Sequence, residues 1–208
     1  MRTLATALLV ILVTAVQAAD HEPYETLVEY DCLSHQISAY GWFGEHPNGF
    51  SLAGGARMAF EGVIHVTAME FYFHWTGDGN QGIPSVIEGD HIRGAIRNAE
   101  GTILAHASAL ITTSTGRRWL SMELEDGPIT LPAGTYDFCV YLDVPRQCGL
   151  GACNDIGDER AVSIRSSNGL AGPWVVFEGW DPAYRLHLTG GAVEVEATTW
   201  SVMKAGFR

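Results

Sequence analysis

The feature that most constrains this chain is a period of two. From Thr135 to Leu142, the residues Tyr136, Phe138, Val140 and Leu142 fall on one side, and Thr135, Asp137, Cys139 and Tyr141 on the other. That is the pattern of a strand with one face buried. Val63 to Trp75 repeats it, with Met69, Phe71, Phe73 and Trp75 aligned. Similar runs predict strands at Leu27 to Cys32, Gln36 to Tyr40, Arg57 to Phe60, Ile92 to Arg97, Ile103 to Ala107, Trp119 to Leu124, Ala161 to Arg165, Trp174 to Phe177 and Tyr184 to Leu188. Turn chemistry separates them, as in Gly77-Asp78-Gly79-Asn80, Asp126-Gly127-Pro128 and Asn168-Gly169. Nothing before the extreme C-terminus carries a helical period long enough to cover a parallel sheet. The expectation is therefore one all-β domain, an antiparallel β-sandwich.

The first residues follow a different logic. Arg2 precedes an apolar run from Leu4 to Val16, and Val16-Gln17-Ala18-Ala19 places small side chains where a signal peptidase reads. This is the three-part pattern of a secretory signal peptide. A membrane anchor would need roughly 20 apolar residues, and Gln17, Asp20, His21 and Glu22 end this run sooner. Residues 1–19 are thus expected to be a signal peptide, 20–192 the β-sandwich domain, and 193–208 a C-terminal strand and short tail. The mature protein is expected to be secreted or held in the periplasm or at the cell surface, with no stable membrane span once the signal is cut. If it is not cut, the same segment becomes a tether.

Export changes the meaning of the cysteines. Cys32, Cys139, Cys148 and Cys153 are an even set, and in an oxidising compartment four cysteines form two bridges in one of three pairings. Cys148 and Cys153 bracket Gly149-Leu150-Gly151-Ala152, the setting for a local bridge, which leaves Cys32 for Cys139. The composition is that of a globular chain: 47% hydrophobic, 17% charged, with a formal charge of -12. Nucleic acid is an unsuitable partner for such a surface, since phosphate binding needs clustered Lys and Arg.

Three stretches in order resemble a module of secreted bacterial proteins: Met69-Glu70-Phe71-Tyr72-Phe73, the hairpin from Ile92 through Asn98-Ala99-Glu100-Gly101 to Ala105, and Ile129-Thr130-Leu131-Pro132-Ala133-Gly134-Thr135-Tyr136 leading into a central strand. Asp181-Pro182-Ala183-Tyr184-Arg185-Leu186 is similar to the closing strand. The resemblance is to jelly-roll, galactose-binding-like modules and spans roughly residues 57 to 190. The segment from Cys148 to Asp158 stands outside the pattern. The resemblance implies a jelly-roll-like sandwich; many proteins of that architecture bind glycans, and some hold a structural calcium.

Site chemistry is sparse. Of six tryptophans, Trp75, Trp119 and Trp174 fall in strands and are expected in the core or at sheet edges. Trp42, in Gly41-Trp42-Phe43-Gly44, and Trp180, in Gly179-Trp180-Asp181-Pro182, sit in loop-like contexts and are the candidates, with Asp181, for an exposed glycan platform. Asp78 and Asn80 in one acidic loop, and Asp155 and Asp158 in another, offer oxygen ligands for calcium, although turns are built from the same residues. The histidines form no H-x-H or H-E-x-x-H, and no G-x-S-x-G elbow is present. Glu123 and Glu125 share a strand face, as a glycosidase pair would, but that is equally the solvent face of a half-buried strand. These features point to a non-enzymatic module that binds a glycan or another cell-surface or envelope component, or serves structurally. The alternative is a polysaccharide lyase or glycosidase on a jelly-roll scaffold; a glycosidase needs its carboxylate pair in a cleft, and a lyase needs Tyr, His and Arg converging in a concave groove.

Overall fold

The computed structural model describes residues 25–30, 39–76, 82–154, 161–176 and 180–189. The proposed signal peptide, the C-terminal tail and both acidic loops with Asp78, Asn80, Asp155 and Asp158 lie outside them. The described residues form strands β1 (Glu25–Tyr30), β2 (Ala39–Glu45), β3 (Ser51–Phe60), β4 (Ile64–Trp75), β5 (His91–Asn98), β6 (Ile103–Leu110) and β7 (Gly116–Leu124). They continue with β8 (Ile129–Leu131), β9 (Gly134–Tyr141), β10 (Gln147–Asn154), β11 (Ala161–Ser166), β12 (Trp174–Val176), β13 (Trp180–Pro182) and β14 (Tyr184–Thr189).

The expected sandwich does not form. The strands run β4-β7-β6-β5-β9-β3-β2-β10 and then return to β4, closing an eight-stranded antiparallel barrel. Closure comes from β10, which pairs with β2 along one edge and meets β4 on the other through Gly149↔His74 and Leu150↔Phe73. Alternation says which side chains turn inward, and it says so equally for a sandwich and a barrel. Whether the two outermost edges meet depends on pairing between strands distant in sequence. Where they meet, unpaired edges disappear from the ring.

Strand β4 is long enough to hold two partners on each edge. Along one edge β8 covers Ile64 to Val66 and β7 covers Ala68 to Trp75. Along the other β14 covers Val66 to Phe71, and β10 takes over at Phe73. Ala183 bridges the handover: its N–H donates to the Gly151 carbonyl and its carbonyl accepts from the Tyr72 N–H. β13 and β14 therefore fill the split where β10 and β4 part. β1 adds outside β14, while β11 and β12 extend from β3.

The interior is lined by large apolar side chains. Met69, Phe71, Phe73 and Trp75 of β4 are buried against Leu120 and Met122 of β7, Phe138 and Val140 of β9, and Ile92 and Ile96 of β5. The inward half of the Thr135 to Leu142 alternation is thus as expected. Gly94 shows how tightly the wall is filled: a Cβ there would lie 2.0 Å from the Met69 methyl. Each buried Leu, Ile, Phe or Met contributes about 1.5–3 kcal/mol of transfer free energy.

The stretch read as a tight loop, Gly149 to Ala152, is instead the middle of β10. This corrects the disulfide pairing. Cys148 and Cys153 are five residues apart on an extended strand, about 16 Å at 3.3 Å per residue, whereas bridged Cα atoms lie within about 7 Å. Cys148 is a free thiol in the core, and Cys139 is a free buried thiol on the other side of its own strand. Neither expected bridge forms. Cys153 is disulfide-bonded, to neither of these; Cys32 lies outside the described residues.

Candidate functional site

With the interior filled, side chains available to a partner lie on the outer wall. Trp42 stands there, on β2 rather than in a loop, and half-buried. Its neighbour Phe43 points inward against Phe73, which fixes Trp42 outward by alternation. Trp180 pairs with Asn154, five residues along β10 from Gly149, the partner of Trp42. The two candidate tryptophans are therefore spread along the strand rather than set side by side. Asp181 is 7% exposed and opposite Cys153, so it is a buried group and not a surface ligand. Among the described residues no three of His, Cys, Asp and Glu cluster as a metal site.

Trp42 does have ring-bearing company. In register, Trp42 faces Gly149 of β10, Gly149 faces His74 of β4, and His74 faces Arg117 of β7. Two residues along, Tyr72 of β4 faces Trp119 of β7. The Trp42 and His74 rings lie 6.4 Å apart, and those of Tyr72 and Trp119 5.6 Å apart, edge to face. Between β2 and β4 the outward positions of β10 are Gly149 and Gly151, which carry no side chain. At Gly151 a Cβ would approach the Tyr72 ring to 2.9 Å and its carbonyl to 3.1 Å, so the glycine makes room for the ring. The result is a band of half-buried aromatic rings, Trp42, His74, Tyr72 and Trp119, crossing the barrel wall.

Charge along the band is balanced locally. The Arg185 guanidinium lies 4.1 Å over the Trp119 ring and 3.6 Å from a Glu70 oxygen, and His187 Nε2 lies 3.3 Å from the other. Burial, with the charge of Arg117 second, holds the His74 pKa below the ordinary histidine value. This favours the neutral imidazole ring.

A second polar group lies on β3, β9 and β5. Arg57, Asp137 and Arg97 face one another in one register row. Arg57 donates to both Asp137 oxygens, at 2.6 and 3.0 Å, and Arg97 packs under the Trp174 ring at 4.9 Å while donating from Nε to the Gly101 carbonyl. Asp137 is 2% exposed. With Cys139 beside it, its thiol pushed up by burial, this row works as a clamp joining three strands beneath Trp174.

Trp42 was legible as a surface candidate; Tyr72, His74 and Trp119 were not singled out as a site. The available signal was two patterns of period two, Tyr72 and His74 between Phe71, Phe73 and Trp75, and Gly149 and Gly151 in another strand. Trp75 is in the core as expected, whereas Trp119 and Trp174 are half-buried on the outer surface. Comparison of the sequence with known protein families and with curated proteins finds no match.

Proposed function

We propose that this protein is a non-enzymatic, exported module that binds a glycan on the outer wall of its barrel. One observation carries the reading: four aromatic rings on β2, β4 and β7 form a band of two contacting pairs, Trp42 with His74 and Tyr72 with Trp119, for which Gly151 of β10 makes room. Sugar rings have apolar faces that stack on aromatic side chains. The export signal at residues 1–19 supports a partner outside the cell, an envelope or surface polysaccharide. The polysaccharide-degrading alternative draws on Tyr72, Arg185 and His187 sharing this wall. However, Arg185 and His187 both turn to Glu70, at 3.6 and 3.3 Å, so they are directed at a carboxylate of the protein and not at a common reacting atom.

The test is a glycan array probed with mature protein, followed by the same array with Trp119→Ala. Selective binding lost in the variant supports the reading. Binding that survives in both Trp119→Ala and Trp42→Ala places the ligand elsewhere, and product release from a bound polysaccharide would return the enzyme alternative.

A further inference from the structure

We infer that the ligand is a linear polysaccharide lying across the strands, not a terminal sugar. This rests on the glycan-binding reading and sharpens it. The rings form a run in one direction: Trp42 beside His74, His74 two residues from Tyr72 on the same face of β4, and Tyr72 against Trp119. From β2 through β10 and β4 to β7 is three interstrand steps, about 14 Å, and Trp119 lies about 7 Å further along β7 than Arg117, the residue level with Trp42. The end rings are thus roughly 16 Å apart at the backbone, far more than a single pyranose ring can reach. A site for a chain end would gather its aromatic groups round one point and wall it with polar side chains. Here the rings step across the wall, and on β10 the absence of a side chain at Gly151 lets the Tyr72 ring settle between β10 and its neighbour in that run. Such a surface suits a ribbon-like chain whose successive ring faces are exposed, as in β-1,4-linked polymers.

The experiment is calorimetric titration of the mature protein with size ladders of β-1,4-linked gluco-, N-acetylgluco- and mannurono-oligosaccharides, monosaccharide to hexasaccharide. Affinity for at least one ladder rises with length and levels off only once the band is spanned. Trp42→Ala, at one end, lowers hexasaccharide affinity roughly fivefold to tenfold and shortens the length at which affinity levels off; His74→Ala serves if that variant does not fold. A monosaccharide binding as tightly as its hexasaccharide overturns the inference while leaving a glycan-binding protein. No binding by any ladder overturns both.

Discussion

At the scale of single residues, the barrel wall asks for different things at neighbouring positions. Gly151 is needed because Tyr72 lies over it. Gly151→Ala forces that ring to move and lowers stability by about 1 kcal/mol, with a loss of glycan affinity larger than the stability change explains; denaturant titration beside calorimetry separates the two. Asp137 is needed because two guanidiniums meet it. Asp137→Ala leaves buried charge unpaired and costs on the order of 3 kcal/mol, read as a lower denaturation midpoint with unchanged slope. His74 sets a pH response. Its folded-state pKa is depressed, so the unfolded chain takes up the proton first as pH falls. The stabilisation is complete above the ordinary value of 6.5 and is lost as pH drops through the lower folded value. Melting curves between pH 8 and pH 5 will show that loss, and His74→Phe will remove its share of it.

At the scale of elements, strand alternation was legible wherever one face is wholly apolar, as in Met69 to Trp75 or Tyr136 to Val140. It failed where both faces are buried or bare. Asp137 and Cys139 occupy the outer positions of β9, yet both are buried; Arg57 of β3 and Arg97 of β5 close on the carboxylate, and Trp174 lies over Arg97. β10 was misread for the opposite reason: Gly149 and Gly151 leave no outward side chain to mark a period, so a strand looked like a loop between two cysteines. The strand assignment carries its own test. Cys139 and Cys148 are free and buried, and burial also pushes both thiols up, away from the reactive thiolate. Without reductant, folded protein leaves both unlabelled by iodoacetamide, and denatured protein takes label at these two positions by peptide mapping. A native Cys148–Cys153 peptide would overturn the register of β10.

At the scale of the whole molecule, closure divides the protein into an inside that holds it together and an outer wall on which the proposed glycan would lie. A sandwich need not make this division, since a ligand can enter between its sheets or at an open edge. Among the described residues the space between walls is occupied by Phe71, Phe73, Phe138, Met69 and Trp75, so the core serves stability. The pairing that closes the ring, Gly149↔His74 and Leu150↔Phe73, joins strands far apart in the chain, and no local pattern announces it. The same pairing places Trp42 and His74 on one continuous wall, so the band was illegible for the reason the barrel was. The two halves of the molecule should then respond separately to mutation. Phe73→Ala removes a fully buried ring and costs about 3–5 kcal/mol, and its glycan affinity, measured well below its unfolding temperature, stays at the wild-type value. Trp119→Ala removes a half-buried ring that packs against Tyr72, Ala183 and Arg185; it costs about 1–2 kcal/mol, less than the core variant, and abolishes most of the affinity. If core and wall variants lose stability and affinity in proportion, binding depends on the fold as a whole, and the band is not where the ligand sits.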